Sequence, residues 1–262
     1  MSRGHIEFVR MDQLPRQAWM PEGRFSGLRA ASLSIDRDSG AETLLVEACR
    51  LWRWADAVSW DHDVEIFVLE GVLVVDGREL RAGFHAHWPA GRECRDLGSP
   101  SGATFLWMAG DRIASGEGGG LTIIDTSLMP WAPSPSFEGR SSEDAGPGLG
   151  VRILREDPGS GAYTLMTRHA PGWSDPRLES HDTWEELVLL EGDYLMGETG
   201  AIGAGIYIFR PGSRPHGPQA TRDGAVWFCR GERRIDFKFT EPSWAHGQVA
   251  HYLRPDDGAT PT

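Results

Sequence analysis

Residues 179–192 run Glu179, Ser180, His181, Asp182, Thr183, Trp184, Glu185, Glu186 and then an apolar stretch ending at Gly192. Glu179 and His181 are two apart, and residues two apart on a strand share a face. Glu185 stands four residues further on, across a short excursion, at the start of the next strand. A second segment, Arg210-Pro211-Gly212-Ser213-Arg214-Pro215-His216, is a turn that ends on another imidazole. Two histidines and one or two carboxylates make a mixed nitrogen and oxygen donor set. Such a set suits one Fe(II), Mn(II), Ni(II), Co(II) or Zn(II) ion. Two His and one carboxylate leave open coordination positions, as in non-haem iron oxygenases. Glu179 is a further candidate ligand that would harden the site toward Mn or Fe. Its other readings are an acceptor for a ligand imidazole or a carboxylate facing water.

Positioning these groups needs strands, and the chain supplies them twice. EIFVLEG (65–71) matches ELVLLEG (186–192), and RAGFHAHWPAG (81–91) matches GAGIYIFRPGS (203–213). FLWMAGDR (105–112) resembles VWFCRGER (226–233), and Trp19-Met-Pro21 resembles Trp131-Ala-Pro133. Four blocks in one order point to an internal duplication. Most segments are rich in Val, Leu, Ile, Phe, Tyr and Trp and are bounded by Gly-containing turns. Short strands so closely spaced imply a sandwich or barrel. Helix is expected only in short pieces such as MDQLPRQAW. The expected divisions are 1–115, a linker and entry strand over 116–150, a second barrel over 151–245, and a loose tail over 246–262. GEGGG (116–120) ends the first half, and PSPSFEGRSSEDAGPG (133–148) reads as loop.

The spacing of the two candidate segments resembles the cupin superfamily. Its first motif is G-x5-H-x-H-x3–4-E-x6-G and its second is G-x5-P-x-G-x2-H. Here Glu185 is followed by six residues and Gly192, and Gly205 by five residues and Pro211. His216 stands where the last His belongs. Glu179 replaces the first His, and Ser213 replaces the second-motif Gly. The segment PGSRPHGPQATRDGAVWF is most similar to the ChrR-type cupins. The resemblance covers both halves. It implies an all-β bicupin, two tandem jelly-roll barrels, with metal ligands His181, Glu185 and His216. It also implies an enzyme acting on a small oxygenated molecule, dioxygenase-like, such as one cleaving diketones or hydroxyketones. The alternatives are a non-catalytic ligand-binding or sensing cupin and a vestigial bicupin without metal.

The same spacing in the first half places Val58 and Trp60 at the His positions, Val64 at the Glu position and Cys94 at the final His. One soft donor among three apolar residues is not a metal site, so one metal ion per chain is expected. A competing set, His62, Glu65, His85 and His87, lies close by. His85 and His87 align with Tyr207 and Phe209, which points to buried structural histidines. Cys94 beside Arg92 has two readings, a thiol of lowered pKa or a small buried residue.

Other residues have double readings. Arg210 is a candidate anchor for a carboxylate or enolate, or a partner in a surface ion pair. Tyr207 is a candidate proton donor, or a filler of the barrel. Trp173 and Trp184 flank the ligand segment as pocket wall or core. His169 is read as structural.

The composition excludes several classes. A formal net charge of −12 argues against nucleic acid as partner. No apolar run reaches the ~20 residues that span a bilayer. The amino terminus shows no apolar signal segment. Three scattered cysteines do not make a disulfide framework, which suggests a cytoplasmic setting. Eleven tryptophans suggest a lined core or an interface, and a homodimer is expected because two-fold assemblies are the commonest.

Overall fold

A computed structural model of the chain describes residues 3–20, 26–110, 120–133, 148–197 and 200–254. These residues are mostly strand, with one α-helix, Ser243–Tyr252. No helix among them is long and apolar enough to cross a membrane. Most of the loops at 116–120 and 133–148, and the chain beyond Arg254, lie outside the described residues.

The chain divides into two compact units. The first holds Met1–Ile6, Arg10–Pro130 and Leu154–Tyr163; the second holds Glu7–Val9, Trp131–Ile153 and Thr164–Thr262. In one sheet the strand order is Thr122–Asp125, Phe84–Trp88, Val64–Val75, Ala103–Ala109, Glu42–Ala48, Leu28–Ile35, Gln17–Trp19. In the other it is Ile6–Arg10, Ile206–Arg210, Glu185–Met196, Ala225–Gly231, Tyr163–His169, Leu149–Glu156, Ala132–Pro133. The far half of each long central strand leaves this path. Val64–Val75 pairs there with Arg78–Arg81 and Leu97–Ser99, and Glu185–Met196 with Ala201–Gly203 and Gln219–Ala220. One strand therefore lines two walls of its unit.

A bulge makes this possible. Thr104 pairs with Glu70 but Phe105 with Val68, so Leu69 has no opposite residue. Leu190 is skipped in the same way between Leu189 and Glu191. An extra residue shifts the two-residue alternation by one. Hence Val64, Ile66 and Val68 face the first unit's core before the bulge, and Leu73 and Val75 after it. The same register puts Glu185, Leu187 and Leu189 on one interior face with Tyr194 and Met196. Gly192 follows the second bulge at φ +86°, where a Cβ would collide with the Gly224 carbonyl. Only glycine fits that approach, which is why the first motif ends on one.

The first unit's interior is apolar and aromatic. Trp60 contacts Trp107 and Trp88 edge-on, with ring centroids 5.2 and 6.3 Å apart. Trp52, Val58, Val64 and Cys94 are buried with them. Burying such rings removes large apolar areas from water, about 25 cal/mol per Å².

The helix was not foreseen, since residues 246 onward read as tail. It belongs to the second unit. Val249 and Tyr252 pack on Leu195 and Ala220, and the Tyr252 hydroxyl donates to Asp193. Its stability comes from this docking, and its sequence has little amphipathic pattern to announce it.

Candidate metal centre

Two backbone pairings bring the candidate ligands together. Glu179 and His216 exchange both main-chain hydrogen bonds, each 2.9 Å. The Ser213 amide donates to the His181 carbonyl at 2.5 Å. Ser213 accordingly sits at φ +68°, a left-handed position that favours glycine. The strand Leu178–Ser180 is covered by Lys238–Thr240, with Phe239 opposite Glu179.

The side chains then converge. One donor atom from each of His181, Glu185 and His216 lies within 4.8 Å of the others. His181 Nε2 is 3.7 Å from Glu185 Oε2, and His216 Nε2 is 3.9 Å from the same carboxylate oxygen. Both imidazoles are turned the same way. His181 Nδ1 donates to the Thr183 carbonyl at 2.8 Å and His216 Nδ1 to the Arg214 carbonyl at 3.0 Å. A carbonyl can only accept, so each Nδ1 carries the proton and each Nε2 presents a lone pair inward when the ring is neutral. His181 Nε2 is buried without a hydrogen bond. Such an orphaned atom is costly unless something else binds it. Glu179 lies beside this cluster, with Oε1 3.0 Å from His216 Nε2.

The charges of these groups shift one another. Burial alone would lower the pKa of His181, but Glu185 and Glu179 outweigh it and raise the value. Burial alone would raise that of Glu185, but His181 and His216 outweigh it and lower the value. Without metal, the two form an ion pair.

Arg210 joins this face and Tyr207 does not. Arg210 is the direct cross-strand partner of Glu185, so the two side chains leave the same side of the sheet. It is buried, its Nε and Nη2 donate to Glu7 Oε1 at 3.0 and 2.8 Å, and its Nη1 has no hydrogen-bond partner. Tyr207 pairs with Val188 and points to the opposite side, where its hydroxyl donates to Glu186 at 2.5 Å. Arg230 completes that separate buried group. Trp184 stacks on Phe209, on the Tyr207 side of the sheet. Trp173 instead packs on His169, with centroids 4.3 Å apart. Sequence spacing did not single out Glu7, Gln219 or Phe237, whose ring lies 6.1 Å from that of His181.

The matching place in the first unit has the same backbone. Val58 and Cys94 exchange two main-chain hydrogen bonds, and the Gly91 amide donates to the Trp60 carbonyl. The side chains there are apolar. Cys94 is fully buried, and burial pushes its thiol up to about 12. Arg92 does not activate it; desolvation dominates. The competing histidines do not gather into a donor cluster. His62 is paired with its neighbour Asp61. His85 meets Glu65 at 2.8 Å and His87 meets Asp63 at 3.1 Å, with Arg155 bridging both carboxylates. The only three-residue metal-type cluster among the described residues is His181, Glu185 and His216.

The fold is shared with solved cupin proteins. A putative dioxygenase from Nostoc punctiforme superimposes with a TM-score of 0.76 at 18% identity, covering 92% of this chain and 87% of that one. The protein Ylba from E. coli gives 0.59 at 14% identity, covering 87% and 92%. Oxalate decarboxylase from Bacillus subtilis gives 0.57 at 11% identity, covering 90% and 79%. No curated relative matches the sequence. A family model described as a domain of unknown function, DUF4437, matches residues 17–238. With a match over most of its length, and with the cupin fold, the chain belongs to the DUF4437 family.

Proposed function

We propose that this chain is a duplicated cupin whose second unit holds one divalent metal through His181, Glu185 and His216. Glu179 is the fourth ligand. The observation that carries this reading is the pair of Nδ1–carbonyl hydrogen bonds, which turn both Nε2 atoms onto one carboxylate. Matching strand order in the two sheets supports the duplication. The Mn(II) centres of the oxalate decarboxylase neighbour support a hard, oxygen-rich ion such as Mn or Fe.

The proposed activity is that of an enzyme on a small oxygenated organic molecule, dioxygenase-like, with diketones or hydroxyketones as the substrate class. The bound metal supplies Lewis acidity and, if iron, oxygen chemistry. The residues have separate tasks. His181, Glu185 and His216 leave room for a bidentate substrate. Arg210 offers its Nη1 to a substrate oxygen that carries negative charge, and Glu7 fixes the guanidinium while it does so. Phe237 and Phe239 wall the ligand strand and exclude water.

The test is elemental analysis of protein purified without chelators, followed by oxygen uptake with a panel of diketones. Iron or manganese near one per chain, with uptake that Arg210→Gln reduces, supports the reading. Metal without turnover of any such substrate would favour a ligand-binding cupin. Absence of metal would leave a vestigial one.

A further inference from the structure

A continuous hydrogen-bonded chain runs from the candidate centre through the second unit's interior. Glu179 Oε1 accepts from Gln219 Nε2 at 2.8 Å. The Tyr194 hydroxyl donates to Gln219 Oε1 at 2.7 Å, and His169 Nε2 lies 3.3 Å from the same hydroxyl. Gln219 thus turns its NH2 to Glu179 and its carbonyl to Tyr194. Tyr194 must then donate, and His169 must carry its proton on Nε2 and donate to the Tyr194 oxygen. Aromatic packing holds the chain in place. His169 lies on Trp173, and Tyr194 meets Trp227 edge-on with centroids 5.1 Å apart.

The first unit has apolar or thiol residues at the positions that match Tyr194, Gln219, Glu179 and His216. The register that pairs Val74 with Gly98 in one unit pairs Leu195 with Ala220 in the other. Tyr194 therefore corresponds to Leu73, and Gln219 to Leu97. Glu179 and His216 correspond to Val58 and Cys94, which share the same bridge. All four first-unit residues belong to its apolar core. A chain needed only for folding would not vanish together with the metal-type residues, since the same backbone folds around leucines.

We infer that Gln219, Tyr194 and His169 are positioning residues that hold the Glu179 carboxylate turned onto the metal-binding face. Gln219 fixes the carboxylate through Oε1 from one side. Tyr194 prevents the amide from flipping, and His169 prevents the hydroxyl from turning. The inference rests on the metal-centre reading and deepens it. Hydrogen-bond partners of ligands of this kind change metal affinity about 10–100-fold when removed.

The test is Mn(II) titration of the full chain, followed by the electron paramagnetic resonance of free Mn(II). Gln219→Leu installs the first unit's residue and is expected to weaken binding about 10–100-fold. Tyr194→Phe, which keeps the ring, is expected to weaken it by a smaller factor. In a Glu179→Ala background, Gln219→Leu should have no further effect, because it acts only through Glu179. Tyr207→Phe, on the other face of the sheet, should bind as the wild type does. Wild-type affinity in Gln219→Leu would overturn the inference, and so would an equal loss with and without Glu179. If the unmodified chain takes up no Mn(II), the metal-centre reading fails and this inference falls with it.

Discussion

The two units carry one backbone and opposite interiors. Where the first places Val58, Trp60, Val64, Trp88 and Cys94, the second places Glu179, His181, Glu185, Arg210 and His216. The same bridge, the same left-handed turn and the same bulge hold both sets. The fold therefore does not require the metal-type residues, because Trp60, Trp88 and Trp107 close the equivalent space by packing alone. At the equivalent place the second unit instead keeps charged groups and an orphaned Nε2, which are costly to bury without a partner.

Exchanging residues between the units breaks this comparison most sharply. Val64→Glu puts a lone carboxylate into the aromatic core. It should cost about 4 kcal/mol, measured by denaturant unfolding. The reverse exchange, Glu185→Val without metal at pH 8, should cost about 1 kcal/mol or less, since His181 can shed its proton there. Equal costs would mean that the two interiors are not different in kind.

Acid should strike the first unit at a definite place. Burial disfavours the Asp63 carboxylate, but His87, the Ala90 amide and Arg155 outweigh it and hold it at about 2. Its pKa is depressed on folding, so its contribution is present above the ordinary aspartate value. That contribution is lost as pH falls through the folded value, and amounts to about 2 kcal/mol. Asp63→Asn should remove this part of the acid limb between about pH 4 and 2.

The second unit should show the opposite limb when metal-free. His181 is raised, so its contribution is complete below the ordinary histidine value and fades as pH rises through the folded one. Melting temperature should decline as pH climbs past neutrality, and added Mn(II) should restore it. A flat profile would remove the His181–Glu185 pair from the account. The smallest effect is at Ser213. Ser213→Gly relieves its positive φ, as Gly91 does in the first unit, and should stabilise by up to about 1 kcal/mol.

Much of the site was legible in the sequence because its signals are local. His181, Glu185 and His216 stand at fixed distances from Gly192, Gly205 and Pro211, and the structure brings these three together. The same counting places Val58, Trp60, Val64 and Cys94 at the equivalent positions of the first half, and the structure buries all four together. What was hidden depends on register. The bulge at Leu190 shifts the alternation, so nothing in the sequence says that Tyr194 shares an interior with Glu185. Gln219 reaches Glu179 only through pairing of distant strands, and Glu7 stands far from Arg210 in the chain. Tyr207 was misleading for the same reason. It sits three residues before Arg210, and an odd separation on a strand points to the other face. The helix at Ser243–Tyr252 was missed because docking, not propensity, stabilises it.

The most direct test of the account is the number of divalent metal ions per chain in three proteins purified alike. The wild type and Cys94→Ala should each carry one, and His216→Ala close to none. Two ions in the wild type, or unchanged metal in His216→Ala, would contradict it.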